Sequence, residues 1–281
     1  MRTPGIYADI DIDVYHQEEG ISSSGISLIL DCPKRYWHQY VAPKPPINPT
    51  DAQKQKDKFK LGRAVHAYVL EPHKFVSSYY LMEESVNLVT KLGKAVYEDA
   101  MVQAAGREIL RKGDWEDIVA MGDAVREHSL WSRMGKPHVE HSLYWDLKKF
   151  AVDGATRLRA RPDIFNDMII VDLKTTDSIA NFSKSIHSYG YHRQAAMQID
   201  ALKTIDGKDR TFAFFVVEKK APYLTSCFVL DEASIEQGRR EYYDGAILYH
   251  DCMESGIWPG YEEKFQTISL PKFAIKDEDI I

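Results

Sequence analysis

The chain has 281 residues, of which 44% are hydrophobic and 28% charged. That is the composition of one packed globular domain over residues 1–281, and it excludes a disordered or low-complexity chain. Its 42 acids against 36 bases give a net charge of −6, which excludes coating of nucleic acid by bulk positive charge and leaves any such contact to local clustering.

The N-terminus carries acids where the apolar segment of a signal peptide would lie, and no apolar run is long enough to span a membrane. Cys32, Cys227 and Cys252 are too few and too scattered for a disulfide framework or a four-cysteine metal or iron-sulfur site. The expected setting is therefore a reducing cytoplasm with no membrane partner.

Residues 1–135 read as mainly helical. "SSSGISLILDCPKRYWHQY" (Ser22 to Tyr40) predicts a serine-capped helix interrupted at Pro33. The proline- and lysine-rich stretch from Val41 to Lys60 predicts a mobile surface loop. In "KFKLGRAVHAYVLEP", Phe59, Gly62, Val65, His66, Val69 and Leu70 fall at helical spacing, with Pro72 closing the helix. Two or three further helices are predicted between Lys91 and Ser132.

From His138 the pattern changes from helical to alternating, so residues 136–281 are expected to form a sheet core. "HVEHSLYW", "FAVDGATRLRARPDIF" and "MIIVDLKTT" read as strands, the last two joined by a hairpin at Asn166–Asp167. A helical segment broken at Gly190 follows, then strands in "TFAFFVVEKK" and "YLTSCFVL" and a long helix from Ala233 to Glu254. The fold class expected is α/β, a mixed central β-sheet flanked by helices with an N-terminal helical region.

The chemistry lies in the hairpin. Asp172 and Lys174 share one face of their strand, and Asp163, nine residues before Asp172, lies on the partner strand. Carboxylates brought together repel and lose hydration unless a cation sits between them. A hard divalent ion such as Mg²⁺ or Mn²⁺ answers that cost, with Lys174 placed to orient a water, stabilise charge or help deprotonate. The competing reading is a salt-bridged hairpin on a solvated face. Glu140 reads either as a third carboxylate or as an exposed strand residue, and His66 as a metal ligand or a core histidine. Tyr191, Gln194 and Gln198 form a polar stripe on the following helix.

Five bases (Lys148, Lys149, Arg157, Arg159, Arg161) stand against one acid in the fourteen residues leading to Arg161, which reads as a phosphate-contacting stripe or a solvated strand face. Lys34 and Arg35, with Ser24 or Ser27, suggest a terminal-phosphate pocket. Tyr36, Trp37 and Tyr40 read as core packing or as a surface for unpaired bases.

"SSSGISLILDCPKRYWHQY", "LGRAVHAYVLEP", "VEHSLYW", "RARPDIF", "IIVDLKTT", "YHRQAAMQIDAL" and "WPGY", in that order from Ser22 to Pro271, resemble the PD-(D/E)xK nucleases, and among them the RecE-like phage and prophage exonucleases related to lambda exonuclease. The resemblance implies a restriction-endonuclease-like core and a Mg²⁺- or Mn²⁺-dependent exodeoxyribonuclease acting on linear double-stranded DNA from 5′ to 3′, leaving 3′ tails for recombination. It implies Asp163, Asp172, the Leu173 carbonyl, His66 and Glu140 as metal ligands, and Asp163, Asp172, Lys174, Glu140 and Gln194 as catalytic residues. Arg35, Ser27, Arg159, Arg161 and Tyr191 are the DNA-binding residues expected. It further implies double-stranded DNA ends as substrate, a ring-shaped trimer or tetramer, a single-strand annealing protein as partner, and a bacterial host cytoplasm. Where RecE-like proteins tend to carry tyrosine four residues after the glutamine, this chain has Gln198. Alternatives are a RecB- or CRISPR-type nuclease or an endonuclease of the same fold, and a non-catalytic DNA-end-binding protein.

Overall fold

A computed structural model describes residues 2–43, 60–83, 86–87, 89–147, 156–262 and 264–271. The expected loop from Val41 to Lys60 falls largely outside these residues, as do Lys148 and Lys149.

The N-terminal part opens with a short strand β1 (Gly5–Tyr7) and helix α1 (Ile12–Gln17). Helix α2 (Ser23–Asp31) follows, capped by the Ser22 hydroxyl, which accepts from Gly25 N at 3.4 Å. Pro33 then starts α3 (Pro33–Tyr36), which widens into a π turn over Trp37–Val41, as the predicted interruption requires. The helix carrying His66 is α4 (Lys60–Leu70). It ends two residues before Pro72, and that proline opens α5 (Pro72–Ser78), where the missing N–H has no partner to lose.

Strands β2 (Tyr79–Met82) and β3 (Glu108–Arg111), a parallel pair, bracket helix α6 (Lys91–Ala104) within the region expected to be mainly helical. Helix α7 (Lys112–Glu127) completes this half.

The stretch predicted as one strand from His138 is two, β4 (His138–Val139) and β5 (Ser142–Leu147). Its partner is likewise split into β6 (Thr156–Ala160) and β7 (Ile164–Phe165). The two breaks face each other. Glu140 takes the left-handed region at φ 51°, and its N–H donates to the Asp163 carbonyl at 2.9 Å, so the ribbon bends where its two carboxylates meet.

The predicted hairpin joins β7 to β8 (Ile169–Thr176), and Asn166 closes the turn by accepting from Met168 N and Ile169 N at 2.8 and 3.0 Å. Helices α8 (Phe182–Ser188) and α9 (Tyr191–Asp206) cross over to β9 (Thr211–Glu218), which pairs in parallel with β8; β10 (Thr225–Val229) and α10 (Glu232–Ser255) follow. The main sheet has the order β10-β9-β8-β7-β4, and a second runs β1-β5-β6. The fold is thus the expected mixed α/β arrangement.

Strand alternation sorts the core into two layers. Ile170, Phe212 and Phe214 pack against α2, α9 and α10, whereas Val171, Leu173 and Phe215 pack against α4 and α7. Helices α9 and α10 approach so closely that a Cβ on Gly238 would stand 2.2 Å from the His192 carbonyl oxygen, which is why glycine occupies that position. No helix among the described residues is long and apolar enough to cross a membrane.

Candidate metal centre

Residues 170 to 174 of β8 alternate between the two layers, so Asp172 and Lys174 face α9 while Leu173 faces α4. Asp172 is fully buried. Its carboxylate accepts from Gln194 Nε2 at 2.6 Å and forms an ion pair with the Lys174 ammonium, which lies 4.7 Å from the centre of the Tyr191 ring. Tyr191 and Gln194 stand at i and i+3 on α9, so the helical spacing read from the sequence does place both over the strand. Gln198, the third member of the predicted stripe, is buried, and its Oε1 has no hydrogen-bond partner among the described residues.

Asp163 Oδ2 accepts from the Leu173 backbone N–H at 2.7 Å and lies 3.5 Å from His66 Nδ1. His66, Glu140 and Asp163 each offer a ligand atom, all within 4.8 Å of one another. The sheet thus supplies two carboxylates and α4 a neutral nitrogen, a donor set that fits a divalent ion with mainly oxygen preference. Asp172 borders this trio but stays paired with Lys174 and Gln194.

The electrostatics support the fit. Burial, and then the charge of Asp163, pushes Glu140 up to about 8 against the partial relief of Arg161, whose Nε lies 3.1 Å from Glu140 Oε2. Burial likewise pushes Asp172 up to about 6, with Lys174 opposing and Asp163 adding to the rise. Burial alone would lower Lys174, but Asp172 and Asp163 outweigh it and hold its pKa above the ordinary value. Burial, which leads both rises, and the repulsion between the carboxylates are costs that a bound cation would relieve.

A pH dependence follows. Both carboxylates have folded pKa values above their ordinary 4.5 and 3.8, so the stability they contribute is present in acid and lost as pH rises through about 6 and then about 8. Without divalent metal, the melting temperature is expected to fall between roughly pH 5 and pH 8.5, and Glu140→Gln to flatten the upper part of that fall. Thermal melts in chelator across this range check it; identical curves for the two proteins would contradict it.

His66, Glu140, Arg161, Lys174 and Tyr191 line a cleft of about 1160 Å³, with Asp163 and Asp172 buried behind them. Lys74 of α5 and Lys219 after β9 bring cations to its rim, paired with Glu71 at 2.5 Å and Asp177 at 3.3 Å, and Arg63 of α4 joins them. None of the three was singled out by the sequence, because they come from separate elements with no local pattern.

The expected basic stripe does not form a phosphate track among the described residues. Arg159 is 6% exposed, and its guanidinium donates to the carbonyls of Tyr15, Glu18 and His16. Arg157 is held by Asp146 at 2.5 Å. Arg161 reaches the cleft but also donates to the Ile10 carbonyl at 2.8 Å. The cause is the N-terminal segment, whose carbonyls cover this face of the ribbon. Ser27 accepts from Arg193 at 3.1 Å, and Arg35 pairs with Asp31 and lines a separate cavity of about 640 Å³ with Lys34 and His38. Neither lines the metal cleft. Tyr36 is core, stacked on Trp258 with centroids 5.7 Å apart. Cys32, Cys227 and Cys252 are free thiols.

A mixed sheet whose central hairpin presents Pro162-Asp163 and, on the next strand, Asp172-Leu173-Lys174 defines a PD-(D/E)xK-type domain. Residues 22–271 match the family described as PDDEXK-like domain of unknown function (DUF3799), and the chain belongs to that family. The crystal structure of a provisionally named exonuclease from Eubacterium rectale superposes over 94% of this chain and 96% of that one, with TM-score 0.61 and 11% identity, a likeness of fold alone. An alkaline exonuclease from Laribacter hongkongensis aligns over 69% of this chain and 96% of its own at 12% identity, but its TM-score of 0.30 carries no argument. A search of curated proteins returns no match.

Proposed function

We propose that this chain is a divalent-metal-dependent nuclease that hydrolyses phosphodiester bonds in linear double-stranded DNA, as an exonuclease running 5′ to 3′ and leaving 3′ tails for recombination. One observation carries the reading: His66, Glu140 and Asp163 converge within 4.8 Å beside the buried Asp172–Lys174 pair, on a cleft with a cationic rim. An ion-paired hairpin alone does not account for the approach of His66, Glu140 and Asp163 to one another beside a cleft. The exonuclease name of the Eubacterium rectale structure and the RecE-like resemblance support the end-directed form of the activity.

His66, Glu140 and Asp163 would hold Mg²⁺ or Mn²⁺, with Asp172 and the Leu173 carbonyl as the further ligands proposed. The ion would supply charge to polarise the phosphate and to acidify water, the usual requirement for so slow a hydrolysis. In the metal-free chain the Asp172 and Asp163 carboxylates raise the Lys174 pKa and favour its ammonium form. As an ammonium it would orient the attacking water and stabilise negative charge on the phosphate. Gln194 fixes the Asp172 carboxylate, and Tyr191 limits where the Lys174 ammonium can sit. To the same reading belong a ring-shaped trimer or tetramer, a single-strand annealing partner and the cytoplasm of a bacterial host.

The expected result with Mg²⁺ is digestion of a linear duplex bearing a 5′-phosphate, loss of a 5′ label before a 3′ label, and persistence of covalently closed circles. Rapid cutting of closed circles would favour an endonuclease, and binding of ends without digestion would favour the non-catalytic alternative.

A further inference from the structure

Between α8 and α9 the chain makes a two-residue step, Tyr189 and Gly190. Tyr189 N donates to the Ser185 carbonyl at 3.0 Å, and Gly190, at φ 67°, turns the backbone into the next helix. The step separates two tyrosines that the sequence places only two residues apart. Tyr191 packs against Phe182 and Phe214 at 6.1 and 5.8 Å and lies beside Lys174. Tyr189 is left 67% exposed on the cleft wall, its ring 5.5 Å from that of Tyr191 and tilted by 31°. Its side chain makes no hydrogen bond among the described residues.

Of the large apolar side chains exposed among the described residues, only Tyr189 and Ile12 line this cleft. A ring this open to water gives up most of the burial that makes aromatic residues useful to a fold. Lys74, Lys174, Lys219 and Glu140 at the cleft have the charge to meet phosphate and metal. Of the two tyrosine rings on the cleft wall, Tyr191 is partly buried beside Lys174, and Tyr189 is the exposed one, offering a flat face next to it. Inside a duplex both faces of a base are covered by its neighbours, so a side chain can stack only on a base that is unpaired or at an end.

We propose that Tyr189 stacks on an unpaired nucleobase of the strand whose phosphate lies at Lys174, and so holds that nucleotide in the cleft. The inference rests on the nuclease reading, deepens it to a preference for single-stranded or frayed ends, and makes Tyr189 a binding residue outside the metal set.

The test uses the full chain in Ca²⁺, a duplex with a short single-stranded overhang carrying 2-aminopurine, and a blunt duplex of the same sequence. Wild-type protein and Tyr189→Phe are expected to quench the 2-aminopurine on binding. Tyr189→Ala and Tyr189→Leu are expected to lose the quenching and to bind the overhang roughly tenfold more weakly, in line with the loss of one base stack, with blunt-duplex affinity unchanged. Comparable melting temperatures establish that the variants are folded, and Tyr189→Leu serves if the alanine variant is not. Quenching and affinity unchanged in folded Ala and Leu variants would overturn the inference and leave the nuclease reading standing. If the wild-type chain binds neither duplex in Ca²⁺ and degrades neither in Mg²⁺, the nuclease reading fails and this inference with it.

Discussion

Asp163→Ala is expected to lower metal-dependent cleavage by at least about 10³-fold, the scale set by the several kcal/mol that an ion contributes to phosphoryl chemistry. Asp163 is the residue through which the centre is assembled. Its side chain accepts from Leu173 N–H, lies beside His66 and shares the ligand cluster with Glu140, while its carbonyl holds Glu140 N–H. Asp163→Asn separates charge from shape, because an amide oxygen can still accept from Leu173. Without metal, the Asn variant is expected to be at least as stable as wild type, since a like-charge repulsion is removed, and Glu140 should return toward its ordinary range. Added Mn²⁺ should then fail to raise its melting temperature. Thermal melts with and without Mn²⁺, run beside a cleavage assay, check both parts; an Asn variant stabilised by Mn²⁺ as much as wild type would contradict the assignment.

Lys174→Ala is expected to reduce kcat by about 10²- to 10³-fold, comparable to the loss of one positioned electrostatic donor. It also removes the cation paired with a fully buried carboxylate, and breaking such a pair from one side costs about 3–5 kcal/mol. Asp172 would then rise further, because burial pushes it up to about 6 even with the Lys174 ammonium, the main charge opposing that rise, beside it. The folded form of the variant should gain stability as pH falls, when Asp172 takes up a proton. The double variant Asp172→Asn/Lys174→Ala should recover much of the stability and none of the activity. Urea unfolding at acid and alkaline pH, with kcat measured on the same preparations, separates the two effects. Equal destabilisation at both pH values would show that Lys174 acts through packing alone.

The hairpin was legible because its signals are local. Alternation in "IIVDLKTT" put Asp172 and Lys174 on one face, Asn166 marked the turn, and helical spacing put Tyr191 and Gln194 over the strand. The left-handed bend at Glu140 was not legible, since no glycine or asparagine announces it; it follows from the hydrogen bond to the Asp163 carbonyl. Strands β2 and β3 have four residues each, too few to show a period against their helical neighbours. Arg157 and Arg159 were drawn away from the site for a different reason. Spacing shows that Arg157, Arg159 and Arg161 share a face, but only the tertiary fold shows that Ile10, Tyr15, His16 and Glu18 bring carbonyls to it. The cations at the rim, Lys74 and Lys219, lie far apart in sequence, and so does the exposed ring of Tyr189 from either of them.

Anomalous scattering from crystals grown with MnCl₂ tests the central proposition most directly. A single strong peak within coordination distance of His66, Glu140 and Asp163, with Lys174 still beside Asp172, is the expected result. Well-ordered carboxylates with no peak at saturating Mn²⁺, Glu140 still bound to Arg161 and Asp163 to Leu173 N–H, would contradict it.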